Sequence, residues 1–456
     1  MSTSDYKSDA DKAKQKLATI SPTMCLAKWN QTSLHLPTGL TNSCYHPPLH
    51  NINPDKLNYN PAGLHNTAEK LRQRKEMLEG KQPEGCSYCW NIEKTGEMSD
   101  RHYRSGEPWA MQDFDEIRKN PLDDKWTPRY VEVNFNHACN LKCSYCSPQF
   151  STTWGKEVER YGEYPTSPPH NMPEHFQGRN RPIPNREDNP YVTAFWRWWP
   201  TLYKNLKHFR MTGGEPMMDP NTYKVLQYII DHPKNDLHLN VTSNMCPADP
   251  KLKMKYFNMA KNICMEDKVE HMMQFVSVDG FGKRAEYIRN GLDFNYMMDN
   301  VEEFLDRIPR RNSITFICTY NNLSVTSLDK LLEKILELRG KYSTTYQRVW
   351  FDIPLLRQPA WQQITLLPES YQMIHEENIE YMRKHSGNEN RFRRFNDFEI
   401  QKMQRNLKYW RDNADTGTKQ KKNFYAFFNE HDRRRSTNFM NTFPEMEEFW
   451  EECRNA

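Results

Sequence analysis

From residue 130 to residue 353 the chain trades short strand-like runs for helical ones, and few folds accept that order. "YVEVNF" (130–135) alternates apolar and polar side chains. Further strand-like runs are "KHFRMT" (207–212), "LHLNVTS" (237–243), "QFVSV" (274–278), "SITFIC" (313–318) and "RVWFDI" (348–353). Helical stretches separate them, among them 221–231, 296–308 and 326–340. Such alternation predicts an α/β fold with a parallel sheet and crossover helices. Six strands suit an open or partial barrel, where functional groups gather at the carboxyl ends of the strands.

The first strand runs into "NHACNLKCSYCSPQ" (136–149), which crowds Cys139, Cys143 and Cys146 into a C-x3-C-x2-C spacing. A disulfide uses two thiols, and a tetrahedral zinc site usually takes four ligands. Seven of the eleven cysteines fall in two groupings, the second being Cys25, Cys44, Cys86 and Cys89. The first 24 residues are polar and carry no signal-peptide core, and no apolar run is long enough to span a membrane. A soluble, cytoplasmic protein is expected, in which lasting disulfides are rare, so the cysteine pattern favours metal or cluster binding. Three thiolates can hold three irons of a cubane and leave the fourth open to a small molecule. Zinc, with His137 as a fourth ligand, is the alternative. The second grouping supplies four thiolates, and a structural zinc ion is again the alternative to a cluster.

With 63 basic and 59 acidic residues the chain is nearly balanced, which does not suggest a nucleic-acid partner held by bulk charge. The basic runs at 391–395 and 432–436 read as solvated faces. "NTAEKLRQRKEMLEG" (66–80) reads as a helix with Asn66 as cap, Glu69 completing a capping box and Gly80 as stop. The connection 147–206 is far longer than one crossover needs, and its proline-rich middle reads as an insertion, with a lid over the site as the sharper reading. The aromatic run "FWRWWP" at its end has core spacing. Cys318 is expected to pack in the core, and Cys246 to pack near the site.

The cysteine loop, with Tyr145 before its last cysteine, and "MTGGEP" (211–216) at the end of the next strand together resemble the radical S-adenosylmethionine enzymes. The resemblance implies a partial (β/α)6 barrel and a [4Fe-4S] cluster on Cys139, Cys143 and Cys146 that binds S-adenosylmethionine. Gly213 and Gly214 permit close approach of a ligand, and Glu215 offers a carboxylate to an ammonium group. By the same resemblance Asn244, Ser277, Asp279 and Arg289 fall where the family contacts the cofactor, and Tyr145 where adenine lies. Ser243-Asn244-Met245 departs from the family's usual threonine, asparagine and glycine.

Cys25-x3-Trp29, His35-Leu36-Pro37 with Gly39, Cys44 and "GCSYCWNIEKTGEMSDR" (85–101) resemble a twitch domain, a shortened SPASM domain that holds an auxiliary [4Fe-4S] cluster. Here it would precede the barrel, and "FNEHDRRRSTNFMNTFPEMEEFW" resembles the tail of a subfamily with that arrangement. The organisation implied is a flexible segment (1–24), a twitch-like domain (25–110), a barrel (125–355, insertion about 160–190) and a helical extension (356–456). The activity implied is reductive cleavage of S-adenosylmethionine to a 5′-deoxyadenosyl radical that takes hydrogen from a substrate. A peptide or protein is the first expectation, and a small metabolite such as a sugar or nucleoside the second. A flavodoxin or ferredoxin would donate the electron. From a different class, a zinc-braced binding protein without catalysis is the alternative.

Overall fold

The computed structural model describes residues 3–415 and 417–456, and their side chains apart from 3–7 and 179. The chain divides into two compact units. The first comprises Met1–Asn136, Pro182–Gly213 and Asp236–Asn240, and the second His137–Arg181, Gly214–Asn235 and Val241–Ala456. In chain order the strands are β1 (Gln31–His35), β2 (Leu40–Asn42), β3 (His50–Asn51), β4 (Tyr130–Asn134), β5 (Lys142–Cys143) and β6 (His208–Thr212). They continue as β7 (Lys234–Ser243), β8 (Val269–Ser277), β9 (Arg289–Asn290), β10 (Asn312–Ile317) and β11 (Val349–Asp352). All six expected strands are present, as β4, β6, β7, β8, β10 and β11.

In the first unit β4 pairs in parallel with β6 on one side and with β1 on the other, in the register Val131↔Phe209 and Val131↔Thr32. β2 and β3 extend the edge antiparallel. One face is apolar and fully buried through Leu34, Val131, Val133, Phe209 and Met211. The helix Pro190–Asn205 supplies aromatic packing for it. Asn189 caps this helix, Pro190 presets its first turn, and Trp199 lies 4.9 Å from Phe209. "FWRWWP" is thus core, as its spacing implied.

Two expectations about the amino-terminal region need correction. Residues 1–24 are not a loose segment: Thr3–Ala18 is a helix, with Ala10, Ala13 and Leu17 buried. The cysteine-rich region is not set apart from the strand at 130 either, because it contributes β1 to the same unit. β1 escaped notice because "QTSLH" puts polar residues on both faces. The helix at 66–80 is Ala68–Leu78, and its cap is Thr67, whose hydroxyl accepts from Lys70 N. Asn66 instead donates to Ala62 O and Trp126 O, and Glu69 pairs with Arg72 in place of a capping box.

In the second unit β8, β10 and β11 pair in parallel, and Val241–Ser243 of β7 lie beside β8, where Gln274 donates to Val241 O at 3.1 Å. The crossover helices Pro220–Asp231, Pro250–Met265 and Phe294–Arg307 each start on an aspartate cap: Asp219, Asp249 and Asp293. Asp-Pro at two of these starts is a strong local signal.

The carboxyl-terminal helices are joined to this unit by a buried charge pair. Arg339 donates to both Glu399 carboxylate oxygens, at 2.5 and 3.2 Å, with the two side chains 0% and 2% exposed. Glu399 also accepts from Phe351 N on β11. Removing one partner strands the other charge in a dry site, a loss of about 3–5 kcal/mol. Arg339→Met is therefore expected to lower the unfolding free energy from denaturant melts by that margin, while Arg339→Met with Glu399→Met recovers most of it. Equal losses in the single and double variants would contradict this.

Candidate functional site

The cysteine loop has little regular structure and is held by bonds from outside itself. β5 pairs antiparallel with β9, which sets Cys143 directly opposite Arg289. Trp154 Nε1 donates to Cys143 O at 2.9 Å, Ser144 N to Ile288 O at 2.8 Å, and Ser151 Oγ to Leu141 O at 2.7 Å. Within the loop, Cys146 N donates to Cys143 O at 2.9 Å. All three thiols are free. Burial raises each above its ordinary value, and the charge of Cys143 is the next cause for Cys139 and Cys146, the latter pushed up to about 12. As thiolates these groups repel one another and stand in low dielectric, so a cationic centre is what would hold them ionised.

The two glycines of 211–216 serve the approach of backbone to protein. A Cβ on Gly213, whose φ is +116°, would fall 2.0 Å from Asn134 Oδ1. One on Gly214 would fall 2.2 Å from Ala138 O. No side chain fits at Gly214, so the turn lies against the start of the cysteine loop, and Glu215 N donates to Ala138 O at 2.6 Å. The Glu215 carboxylate is 2% exposed and accepts from Ser243 Oγ at 2.7 Å, Asn244 N at 2.8 Å and Met217 N at 3.0 Å. It is a brace between two strand ends.

Three further predicted residues meet in one buried network. Tyr145 Oη donates to Asp279 Oδ2 at 2.6 Å, and Arg289 Nη2 donates to Tyr145 Oη at 2.7 Å and to Asp279 Oδ1 at 3.1 Å. Thr319 N supplies a third bond to Asp279, at 2.8 Å. Arg289 Nη1 lies 3.5 Å from Cys143 Sγ. Asp279 and Arg289 thus form an internal ion pair beside a cysteine, and the Tyr145 hydroxyl is engaged in it. Asn244 holds Asn140 of the loop through a 3.0 Å bond and accepts from Cys246 N. Ser277, two residues before Asp279 on the same side of its strand, stays partly exposed. Asn321 closes a local turn by accepting from Leu323 N. Cys246 and Cys318 are buried, in line with packing roles.

Sequence reasoning missed the residues that clamp the loop from the carboxyl-terminal side. Arg435 Nη1 donates to Lys142 O at 2.8 Å, and its other nitrogens reach Glu157 at 3.1 and 3.2 Å. Lys142 Nζ and Tyr164 Oη converge on the same carboxylate at 2.6 and 2.5 Å. Arg434 donates to the carbonyls of Gly162 and Glu163. The run 432–436 is therefore no solvated face: the Arg434 and Arg435 side chains are 2% and 0% exposed, and Arg433 alone of the three is well exposed. Its signal was present in "RRR" at the end of an aromatic helix, but a charge run alone does not say which members turn inward.

The same contacts qualify the lid reading. Asn423 bonds both backbone groups of Ser167, Tyr164 stacks on Phe427 at 4.5 Å, and Asn171 donates to Cys146 O at 3.3 Å. Residues 164–171 are fastened to the helix Thr418–Arg435, and Asn171 meets the cysteine loop at one carbonyl.

In the first unit Cys25, Cys44, Cys86 and Cys89 line one small cavity of about 30 Å³. Cys25 precedes the short helix Ala27–Asn30, Cys44 follows β2, and Cys86 and Cys89 flank the start of the helix Ser87–Lys94. Burial pushes Cys44 up to about 11 and Cys89 up to about 12, and both are also raised by the charge of Cys25. Among the described residues no three His, Cys, Asp or Glu side chains are gathered as ligands of a single metal ion. Both donor sets, thiols free of disulfides, suit a cluster chemically.

The clamp has a pH signature. Burial would raise Glu157, but the charge of Arg435 and bonds from Arg435, Lys142 and Tyr164 outweigh it and hold the carboxyl at about 2, against an ordinary 4.5. A depressed folded value gives stability that is full above the ordinary value and lost as pH falls toward the folded one. Glu157→Gln is expected to melt lower than the parent at neutral pH, with the gap closing from about 4.5 toward about 2. A gap independent of pH in thermal melts would contradict this.

Comparison with protein-family models and with curated proteins found no match. Among solved structures, Streptococcus suis SuiB bound to S-adenosylmethionine is similar at 13% identity and a TM-score of 0.39, over 65% of this chain and 58% of its own. SuiB bound to precursor peptide SuiA is similar at 12% identity and a TM-score of 0.38, over 69% and 59%. Native anSMEcpe with bound AdoMet and Cp18Cys peptide is similar at 13% and 0.34, over 56% and 60%. This chain spans less than two thirds of the length of each, and likenesses this distant carry no argument about activity.

Proposed function

We propose that this chain is a radical S-adenosylmethionine enzyme with a partial (β/α)6 barrel and an amino-terminal twitch-like domain. The observation that carries the reading is the pairing of two motifs: the loop of Cys139, Cys143 and Cys146, and the Gly213-Gly214-Glu215 turn whose backbone lies against it. A [4Fe-4S] cluster on those three cysteines would supply the electron that cleaves S-adenosylmethionine to methionine and a 5′-deoxyadenosyl radical able to take hydrogen from a substrate.

The chain's own residues do the positioning. Trp154, Ser151 and Arg435 hold the loop carbonyls. The Asp279–Arg289 pair places a cation 3.5 Å from Cys143, favouring its thiolate. Asn171 holds the Cys146 carbonyl. Ser277 keeps an exposed edge toward a ligand. The four cysteines of the first unit would hold the auxiliary cluster, all four thiols facing one cavity. A peptide or protein is the proposed substrate class, and a flavodoxin or ferredoxin the electron donor.

Anaerobic reconstitution with iron and sulfide tests the reading. About eight irons per chain are expected, from two four-iron clusters. Dithionite and S-adenosylmethionine should yield 5′-deoxyadenosine in the parent and none in Cys143→Ala. Tightly bound zinc, with no 5′-deoxyadenosine after full reconstitution, would overturn it in favour of a zinc-braced binding protein.

A further inference from the structure

The helix Ala68–Leu78 turns its charges inward. Its buried residues are Lys70, Gln73, Arg74 and Met77, a stripe at helical spacing where apolar side chains would ordinarily lie. Lys70 is 0% exposed, and its ammonium donates to the hydroxyls of Thr32 at 2.7 Å and Thr41 at 2.9 Å. Arg74, also 0% exposed, donates to Asn66 Oδ1 at 2.9 Å and Lys28 O at 3.3 Å, and lies 2.8 Å from His65 Nε2. Lys28, on the short helix after Cys25, is 2% exposed and donates to Gln73 Oε1 at 2.7 Å. Every one of these partners is neutral, since burial keeps His65 uncharged. None of the three cations takes part in an ion pair among the described residues.

Other cations of this region are treated differently. Arg101, which lines the four-cysteine cavity, is paired with Glu93 at 2.7 Å, and Arg72 with Glu69. An unpaired buried ammonium costs several kcal/mol and ordinarily sheds its proton. The cations are therefore poised for a negative charge that the polypeptide does not provide. Lys28 lines the cavity of Cys25, Cys44, Cys86 and Cys89. Lys28 and Lys70 each act electrostatically on Cys44, and Lys28 on Cys25 as well.

Four thiolates around an iron–sulfur core leave a net negative centre, and its potential depends on the charges near it. We infer that Lys28 and Lys70 are the built-in counter-charge of the auxiliary cluster. They favour ligation by all four thiolates, Cys25 included, and raise the cluster's reduction potential, because the added electron makes the centre more negative still. The inference rests on the proposed cluster at these cysteines and goes beyond it, in assigning residues that are not ligands.

The test is an EPR-monitored redox titration, with dithionite as reductant, of the reconstituted full chain in a Cys143→Ala background, which leaves only the auxiliary signal. Lys28→Met should move the midpoint to more negative potential, and Lys28→Arg should leave it in place. Lys70→Met should move it in the same direction, and it decides the matter if Lys28→Met does not fold. In iron-free protein Lys70→Met should melt higher than the parent, since it removes a buried charge left without its partner. A second cluster with an unmoved midpoint in the charge-removing variants would overturn the counter-charge and leave the ligand assignment standing. Absence of any auxiliary signal in the parent would overturn the ligand assignment, and the counter-charge with it.

Discussion

Three thiols in eight residues make a loop that cannot hold itself. So short an irregular segment satisfies few of its own backbone groups, and buried backbone groups left unbonded are costly. The second unit meets this demand from several directions. Trp154 takes the Cys143 carbonyl, Ser151 and Thr153 the Leu141 carbonyl, Arg435 the Lys142 carbonyl, and Glu215 N the Ala138 carbonyl. Asn171 reaches the Cys146 carbonyl. These donors are scattered across the sequence from 151 to 435, so the loop depends on nearly the whole unit being folded. That makes the carboxyl-terminal helices part of the site's construction.

Periodic features were legible from sequence, and partner choice was not. The six strands and most crossover helices rest on spacing within a few residues, which any fold using them must respect. The two cysteine groupings were legible because thiols are rare and their clustering is improbable by chance. The missed features share one property: a polar side chain whose partner is distant in sequence. Glu215 suggested a ligand carboxylate, yet Ser243 and Asn244 occupy it. Asp279, Arg289 and Tyr145 were each assigned outward and instead bind one another. Arg434 and Arg435 suggested solvent, and their partners lie some 270 residues earlier. β1 was hidden for the related reason that both its faces are buried and one of them is polar, through Gln31 and Ser33.

The internal bonding of Asp279 and Arg289 recasts what these residues contribute to a binding site. A carboxylate that accepts three hydrogen bonds is braced from several sides, and it fixes the guanidinium that lies beside Cys143. The arginine cannot swing away without stranding Asp279, which is fully buried. The positive charge at the loop is thus anchored by geometry as well as by attraction.

The two thiol sets then differ in electrostatic setting. At Cys139, Cys143 and Cys146 the nearby cations are Arg289 and Arg435, already compensated by Asp279 and Glu157, so little net positive charge faces the thiols. At Cys25, Cys44, Cys86 and Cys89 the chain buries Lys28, Lys70 and Arg74 against neutral partners. Identical centres placed in these settings would not accept an electron equally, since the uncompensated side favours the reduced form. Electrons would rest more readily at the four-thiol centre. On the proposed function, the strongly reducing centre would be the one with three protein ligands, where low potential suits cleavage of a sulfonium.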